Sequence, residues 1–563
     1  MRVTPPLVNG LWATLCLPET FLFHRAARNV EAVQRGVLSR LLHANRQTAF
    51  GLRYGFGGIR SAEDYASAVP FSDYTAYRSS IDALLRGETG CLTAEAPVRL
   101  VPTSGSCGTG KLIPFTPALR REFQKGIAPW IASQFLRHPG LFAGSAYWSI
   151  SPALPPAPGG GAIPVGFDAD TDYLHPLIGR LLPRIMAVPP FVAGIRDLDT
   201  FRYVTLLYLL KARDLSFISV WNPTFLGLLL APLDAWGERL ADDLQAGRLK
   251  GGAEILEPIR AGIAGTLGRH PKRAAEIRRL LATRRRADPA RFAPLWPNLA
   301  LISCWTDAAA AGPARDLEIA FPGVPLSPKG LLATEGIVST PVGRAEGAAL
   351  AIRSHYYEFL EDNDPARLRS AWQLEKGRSY AVILTTGGGF YRYRLGDLVR
   401  VTGFLGQCPL LQFSGRCDNV SDFYGEKLSE AHVADVVSRL LDRHRIGASF
   451  RMLVPDGIPR PDHYALLLAG SPGPATTPLQ PLESELDAAL SENFHYAYCR
   501  RLGQLAPASI RWLPCGEAEA SRRYLLGCVG RGQKAGEIKP VALDRRPGWP
   551  NALDFPHGRR NGE

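Results

Sequence analysis

Residues Val98 to Pro117 read VRLVPTSGSCGTGKLIPFTP, and the meaning of this stretch decides the fold. Val98-Arg99-Leu100-Val101 alternates like the end of a strand, and Pro102 closes it. Thr103, Ser104, Gly105, Ser106, Cys107, Gly108, Thr109 and Gly110 follow, and then Lys111. Glycines admit positive φ and let backbone N–H groups approach an anion. Hydroxyls add donors, and the lysine adds a compact positive charge. Such a loop is suited to hold phosphate.

Two phosphate-binding readings compete. Gly105 to Lys111 matches the P-loop spacing G-x-x-x-x-G-K, which demands Ser or Thr next to ligand Mg²⁺, and Leu112 stands there. Pro114 and Pro117 fall where the P-loop helix should propagate, and proline inside a helix costs about 3 kcal/mol. The other reading is a hydroxyl-rich flap, T-S-G-[ST]-x-G-x-x-K, over the pyrophosphate end of a nucleotide. A plain Gly/Ser surface hairpin has the same composition. The loop alone leaves these open, and its distant companions decide.

A chain of 563 residues is too long for one core and implies two to four domains. With 46% hydrophobic and 21% charged residues, it is ordinary for a soluble globular protein. The formal charge is 65 − 52 = +13, yet no basic run interleaves with aromatics, so nucleic acid is not an expected partner. Arg273, Arg278, Arg279 and Arg284 to Arg286 surround Ile277, Leu280 and Leu281, which reads as a solvated helix face. A positive field would still attract ATP and carboxylates.

The nine cysteines are odd in number and form no C-x-x-C, so neither zinc nor a disulfide framework is expected. A cytoplasmic protein is the reading. Leu7 to Leu17 is faintly like a signal peptide, but Asn9-Gly10 interrupts it and no small-x-small site follows. No window approaches 18 uninterrupted apolar residues, so no membrane span is expected.

Along the chain, residues 27 to 46 carry one helical stripe, and Ser61-Ala62-Glu63-Asp64 reads as a helix start. Residues 119 to 137 read as an amphipathic helix, and Ser151 to Gly161 as an exposed Pro/Gly loop. Leu215 to Val220 is a strand, and Asn222-Pro223-Thr224 turns into an apolar helix. Leu299 to Trp305 is another buried strand, and Gly330-Leu331-Leu332 leads into Ala333-Thr334-Glu335-Gly336. These strand, polar-turn and helix units imply a parallel sheet with ligands at its carboxyl edge. Tyr380 to Thr385 and Leu410 to Ser414 are further strands. An α+β alternation follows, with helices near 429–444 and 482–492 and strands near 449–454 and 463–469.

The expected fold is α/β: a large N-terminal domain of parallel and mixed sheets with flanking helices, and a smaller C-terminal α+β domain. The boundary is expected at Cys417–Asp418, giving domains 1–417 and 418–545, with 546–563 a poorly ordered tail.

Four elements stand in the order that adenylate-forming enzymes use: Thr103-Ser104-Gly105-Ser106 through Lys111, Ala333-Thr334-Glu335, Tyr393-Arg394-Leu395-Gly396-Asp397, and Gly415-Arg416-Cys417-Asp418. The flanking text SGSCGTGKLIPFT, CWTDAAAAGPARDLEIAFPGVPLSPKGLLATEGIVSTP and GFYRYRLGDLVRVTGF resembles the auxin-responsive promoter family of acyl acid amido synthetases in its bacterial form. The likeness runs over nearly the whole chain. It implies that Thr103 to Lys111 lie along the β- and γ-phosphates of ATP, with Ser104, Ser106, Thr109 and Lys111 in contact. It implies Thr334 on the α-phosphate, Glu335 as a Mg²⁺ ligand, and Tyr393 and Asp397 at the nucleotide, Asp397 on the ribose hydroxyls. Arg416 would reach ribose or phosphate, and Asp418 would be a hinge. Lys539, with Lys534 behind it, is the candidate for the catalytic lysine of the wider superfamily, which this class of amido synthetases need not use.

The chain departs from the wider pattern at Leu331-Leu332, where many adenylate-forming enzymes carry a Tyr-Gly pair whose tyrosine stacks on adenine. Cys107 takes a hydroxyl's place, as a small loop-filler rather than a nucleophile.

The implied reaction has two steps. A carboxylate attacks the α-phosphate of Mg·ATP, and an amine, most simply an amino acid, then takes the acyl group and releases AMP. The acid would sit against Val220, Trp221 and Asn222 and against Ser303, Cys304 and Trp305, all of which are also good core residues. Transfer to a coenzyme A or carrier-protein thiol is the first alternative. A non-catalytic nucleotide-binding protein is the second, opposed by retention of Lys111, Glu335, Asp397 and Arg416.

Overall fold

A computed structural model of the chain describes residues 4–102, 111–149, 162–166, 176–251, 255–283, 288–343, 345–361, 364, 366–417, 419–457, 461–470, 479–531, 533, 535 and 538–554. The chain forms two compact units. The first comprises Met1–Trp221, Pro232–Thr306 and Glu318–Phe413, and the second Asn222–Ala231, Asp307–Leu317 and Ser414–Glu563. The units therefore part at Phe413–Ser414, four residues before the expected boundary, and two stretches of the N-terminal half join the second unit. Partners decide this, not composition: helix Pro223–Leu230 packs on helix Glu517–Val529.

The first unit contains a four-stranded parallel sheet in the order Ser145–Trp148, Leu215–Ser219, Leu301–Cys304, Leu326–Pro328. Every residue of its first three strands is buried. Near-continuous apolar runs of this kind belong to parallel sheets covered on both faces. Register places Trp148 beside Ser219, Ser219 beside Ser303, and Cys304 beside Pro328. The carboxyl ends of the four strands are thus level.

A second sheet of seven strands accompanies it, ordered Leu368–Ser370, Tyr356–Glu361, Ser379–Thr385, Tyr393–Leu405, Cys408–Arg416, Ala348–Leu350, Ser339–Thr340, with antiparallel pairing among its described pairs. Between Ser379–Thr385 and Tyr393–Leu405 the register shifts, so that Ala381 faces Leu398 while Ile383 faces Arg394. The extra residues, Leu395, Gly396 and Asp397, form a bulge, and Gly396 supplies its positive φ of 85°.

Arg99–Pro102 and Leu112–Phe115 pair antiparallel, so they are the two arms of a hairpin. A P-loop joins a strand to a helix, and that reading is excluded. Pro114 lies in the second arm, and Pro117 opens helix Pro117–Arg137 at its first turn, where its missing N–H is harmless. Thr116 caps that helix by accepting from Leu119 N–H.

Elsewhere local chemistry behaves as read. Ser61 and Asp64 form a reciprocal capping box on helix Ala62–Ala68. Leu7 to Leu17 lies inside helix Pro5–Ala26, whose Val8, Trp12 and Cys16 are buried. The arginine-rich helix Pro271–Thr283 is not solvated throughout: Arg273 is buried, donating to the carbonyls of Leu210 and Leu295 and pairing with Glu276. Among the described residues, no helix is long and apolar enough to cross a membrane.

The second unit is built on strands Phe450–Asp456, His463–Ala469 and Ser509–Trp512, the first pair antiparallel and the second parallel. Helices Glu430–Arg443 and Leu479–Leu490 supply Val433, Val436, Leu440, Leu482 and Leu486 to its core. The expectation of a poorly ordered tail fails at Trp549–Asp554, which is helical. Trp549 is buried against Tyr524, with Arg531 over its ring. An indole of this size outweighs the Pro- and Gly-rich sequence around it.

Candidate active site

Three of the four motifs meet around one phenol. Lys111 Nζ donates to the Tyr393 hydroxyl at 3.1 Å, and that hydroxyl donates to Glu335 Oε1 at 3.2 Å. The Lys111 ammonium also lies over the rings of Tyr74 and Tyr393, 5.9 and 5.8 Å from their centroids. Glu335 is only 7% exposed and Tyr393 is fully buried. In so dry a setting a positive and a negative group bridged by a hydroxyl hold each other strongly.

Each member is anchored by its own element. Lys111 adjoins the arm Leu112–Phe115, whose Leu112 N–H donates to the Tyr74 hydroxyl at 2.7 Å. Thr334 and Glu335 are the two turn residues between Leu332–Ala333 and Gly336–Ile337, which pair antiparallel. His355 Nε2 accepts the Ile337 N–H at 3.1 Å, so the ring proton is on Nδ1, which donates to Glu122 Oε2 at 2.8 Å. Glu122 also accepts from Gly387 N–H at 2.8 Å, tying the Thr334-Glu335 turn to the turn that precedes Tyr393. Gly336 is required by this contact, because a Cβ there would sit 2.7 Å from His355 Nε2.

Tyr393 is set by the residue before it. Arg392 has φ of 48°, an unfavourable conformation for a residue with a Cβ. Its guanidinium holds it there, pairing with buried Glu358 at 2.9 Å and donating to the carbonyls of Ala66 and Val69. Asp397 follows on the bulge and is 1% exposed.

A second cluster lies at the carboxyl edge of the parallel sheet, where ligands bind in such folds. Val220, Trp221 and Trp305 directly follow their strands, and Ser303 and Cys304 end theirs. Trp221 and Trp305 are in ring contact at 5.8 Å. Burial pushes the Cys304 thiol up to about 12, with the Lys329 charge opposing, so it stays protonated at neutral pH. Asn222 belongs to the second unit: its Oδ1 caps helix Pro223–Leu230, and its Nδ2 donates to the Ile538 carbonyl at 2.6 Å.

The sequence reading missed the centre of this cluster. Lys329, one residue beyond strand Leu326–Pro328, is 6% exposed and donates to Ser219 Oγ at 2.6 Å. Its ammonium lies over Trp221, Trp130 and Trp148 at 4.6, 5.0 and 5.6 Å from their rings. Each such contact is worth about 2 kcal/mol when desolvated, which is how a buried lysine is tolerated. The available signal was a lone lysine directly after an apolar strand.

In the second unit, the charges of Arg416 and Lys539 both act on Glu430. Burial raises the Glu430 carboxyl above its ordinary value, while hydrogen bonds from Asn419 and Ala542 N–H and these two charges oppose the shift. Thr103 to Gly110, Asp418 and Lys534 lie outside the described residues.

Residues 21–326 match the model of the GH3 family N-terminal domain, and residues 348–416 that of the GH3 family central domain. The chain belongs to the GH3 family. It is 25% identical over 559 residues to the indole-3-acetic acid-amido synthetase GH3.8 of Oryza sativa subsp. indica, spanning 91% of this chain and 88% of that one. Similarity to the indole-3-acetic acid-amido synthetase GH3.3 of Arabidopsis thaliana is 24% over 432 residues, or 73% and 71% of the two chains. Among solved structures, the GH3.15 acyl acid amido synthetase in complex with 2,4-DB superposes with a TM-score of 0.82 at 21% identity, covering 96% of this chain and 95% of that one. In this GH3 chain Leu331, which stands where many of the wider superfamily carry the tyrosine, is buried.

Proposed function

We propose that this GH3 protein is an ATP-dependent, AMP-forming ligase that adenylates a carboxylic acid and passes the acyl group to an amine, with an amino acid as the acceptor. The observation that carries the reading is the Lys111–Tyr393–Glu335 cluster, which unites residues from three motifs separated by hundreds of positions. Two amido synthetase relatives support the amide product over a thioester.

Lys111 and the loop Thr103–Gly110 would neutralise the β- and γ-phosphates, and Thr334 would hydrogen-bond the α-phosphate. Asp397 would bind the ribose, beside Tyr393. Mg²⁺ commonly takes one or two carboxylates plus substrate phosphates and waters. Glu335 offers one such carboxylate, and among the described residues no group of three His, Cys, Asp or Glu forms a cage of its own. These residues fit an ion that arrives with the nucleotide, where it would neutralise charge on the transferring phosphoryl group. The acid would lie against Val220, Trp221, Ser303, Cys304 and Trp305. Arg416, Asp418 and Lys539, with Asn222, belong to the smaller unit, with Asp418 as the hinge between half-reactions. The cysteines described are all free thiols, which supports a cytoplasmic setting.

Incubation with ATP, pooled carboxylates and hydroxylamine tests the adenylation. Hydroxamate and AMP are expected, and their absence with every acid would overturn it. Replacing hydroxylamine with amino acids or coenzyme A then names the acceptor.

A further inference from the structure

Tyr74 meets the Lys111–Tyr393–Glu335 cluster from a segment that none of the four sequence motifs supplies. Its hydroxyl accepts the Leu112 N–H at 2.7 Å and donates to the Leu112 carbonyl at 3.3 Å. One phenol therefore holds both backbone groups of the residue that follows Lys111. The same ring receives the Lys111 ammonium 5.9 Å from its centroid, and the Tyr393 ring receives it at 5.8 Å.

Two residues earlier, the chain is fixed to the neighbours of Tyr393. Ser72 N–H donates to the Arg392 carbonyl at 3.0 Å, and Arg394 N–H donates to the Ser72 carbonyl at 2.8 Å, so Ser72 and Tyr393 form a parallel bridge. Ser72 Oγ also donates to the Tyr391 carbonyl at 2.8 Å. Between these anchors Asp73 caps the turn Tyr74–Tyr77 by accepting the Thr75 N–H at 2.8 Å. The stretch Ser72–Tyr74 is thus a short bracket, bonded at one end to the strand that carries Tyr393 and at the other to the arm that follows Lys111. A lysine on four flexible carbons has many rotamers to lose on binding, and a bracket that holds it in place beforehand reduces that loss.

We propose that Tyr74 is a positioning residue of the nucleotide site, which holds the Lys111 ammonium where the β- and γ-phosphates of ATP arrive. The hydroxyl fixes the backbone beside Lys111, and the ring face steadies the charge. The inference rests on the phosphate role given to Lys111 above. AMP has neither of those phosphates, so a residue that acts through Lys111 distinguishes ATP from AMP, whereas a residue that only supports the fold affects both alike.

Calorimetric titration of the full chain with ATP and with AMP, each with Mg²⁺ and without any acid, tests it apart from turnover. Y74F keeps the ring and deletes the hydroxyl. It should weaken ATP about tenfold, the scale of one hydrogen bond, and leave AMP at the parent's affinity. Y74L should weaken ATP by a further factor of about two to five as the ring face is lost. K111M should weaken ATP as well, and Y74F placed in K111M should cost nothing more. The unchanged AMP affinity shows that each variant is folded. Equal losses for ATP and AMP, a full Y74F effect in the K111M background, or parental ATP affinity in both Tyr74 variants would each overturn the inference. Parental ATP affinity in K111M removes the phosphate role of Lys111 and this inference with it. Absence of hydroxamate with every acid, alongside the expected ATP and AMP affinities, overturns the ligase reading and leaves the role of Tyr74 standing.

Discussion

Glu122 Oε2 lies 2.8 Å from His355 Nδ1, and this buried contact couples two turns far apart in sequence. On one side His355 holds the N–H of Ile337, beside the Thr334-Glu335 turn. On the other, Glu122 receives the N–H of Gly387, ahead of Tyr393. Glu122→Gln puts an amide where one of two donors needs an acceptor. Hydrogen bonds to charged groups are worth about 1.5–3 kcal/mol, so a stability loss of that order is expected, with amide formation reduced about tenfold or more. Urea unfolding and steady-state kinetics check it, and a variant with parental values in both would refute the coupling.

Tyr393→Phe removes the hydroxyl between Lys111 and Glu335 and keeps the ring stacked on Phe390 at 4.7 Å. The fold should survive, and adenylation should fall about tenfold, the scale of one lost hydrogen bond in a dry site. Acid-dependent pyrophosphate exchange measures this. Parental exchange would show that the phenol is only core.

Glu335→Gln removes a carboxylate charge while preserving shape. Exchange should weaken and demand a higher Mg²⁺ concentration, because an anionic ligand is lost. A magnesium titration identical to the parent's would remove Glu335 from the metal site.

Asp397→Ala should raise the KM for ATP about ten- to a hundredfold by removing a two-oxygen acceptor for the ribose. Circular dichroism must remain parental for the result to count. An unchanged ATP dependence with intact fold contradicts the ribose assignment.

Glu430 yields a pH prediction with a definite sign. Its folded-state value lies above its ordinary value because burial disfavours the charged form. As pH rises from the ordinary value towards the raised one, the unfolded state loses its proton first, so this group's contribution to stability declines across that window. Glu430→Gln cannot titrate. The difference in thermal midpoint, variant minus parent, should grow in the variant's favour from pH 4 upwards and then level off. A difference independent of pH would show that the carboxyl is not raised.

Much of this GH3 protein was legible locally. The capping box of Ser61 and Asp64 and the buried strands Leu215–Ser219 and Leu301–Cys304 follow from backbone satisfaction and apolar runs over a few residues. The motif residues Lys111, Glu335 and Tyr393 were also legible as candidates through the family resemblance, and the structure brings the three together. The extent of the second unit was not, since helix Pro223–Leu230 reads as part of the repeating α/β pattern and only its partner assigns it elsewhere.

What the sequence by itself determined was the inventory: an α/β fold, a hydroxyl- and glycine-rich loop, and the candidate carboxylates and lysine. Tertiary structure alone decided the surroundings. Lys329 becomes a buried cation only because the helix Pro117–Arg137 and the ends of two parallel strands bring Trp130, Trp148, Trp221 and Ser219 around it. Glu122 and His355, 233 residues apart, become partners only on packing. Spacing along a chain encodes what neighbours within a turn or a strand can do. Burial and the pairing of charges are sums over distant segments, and they exist only once the chain has closed on itself.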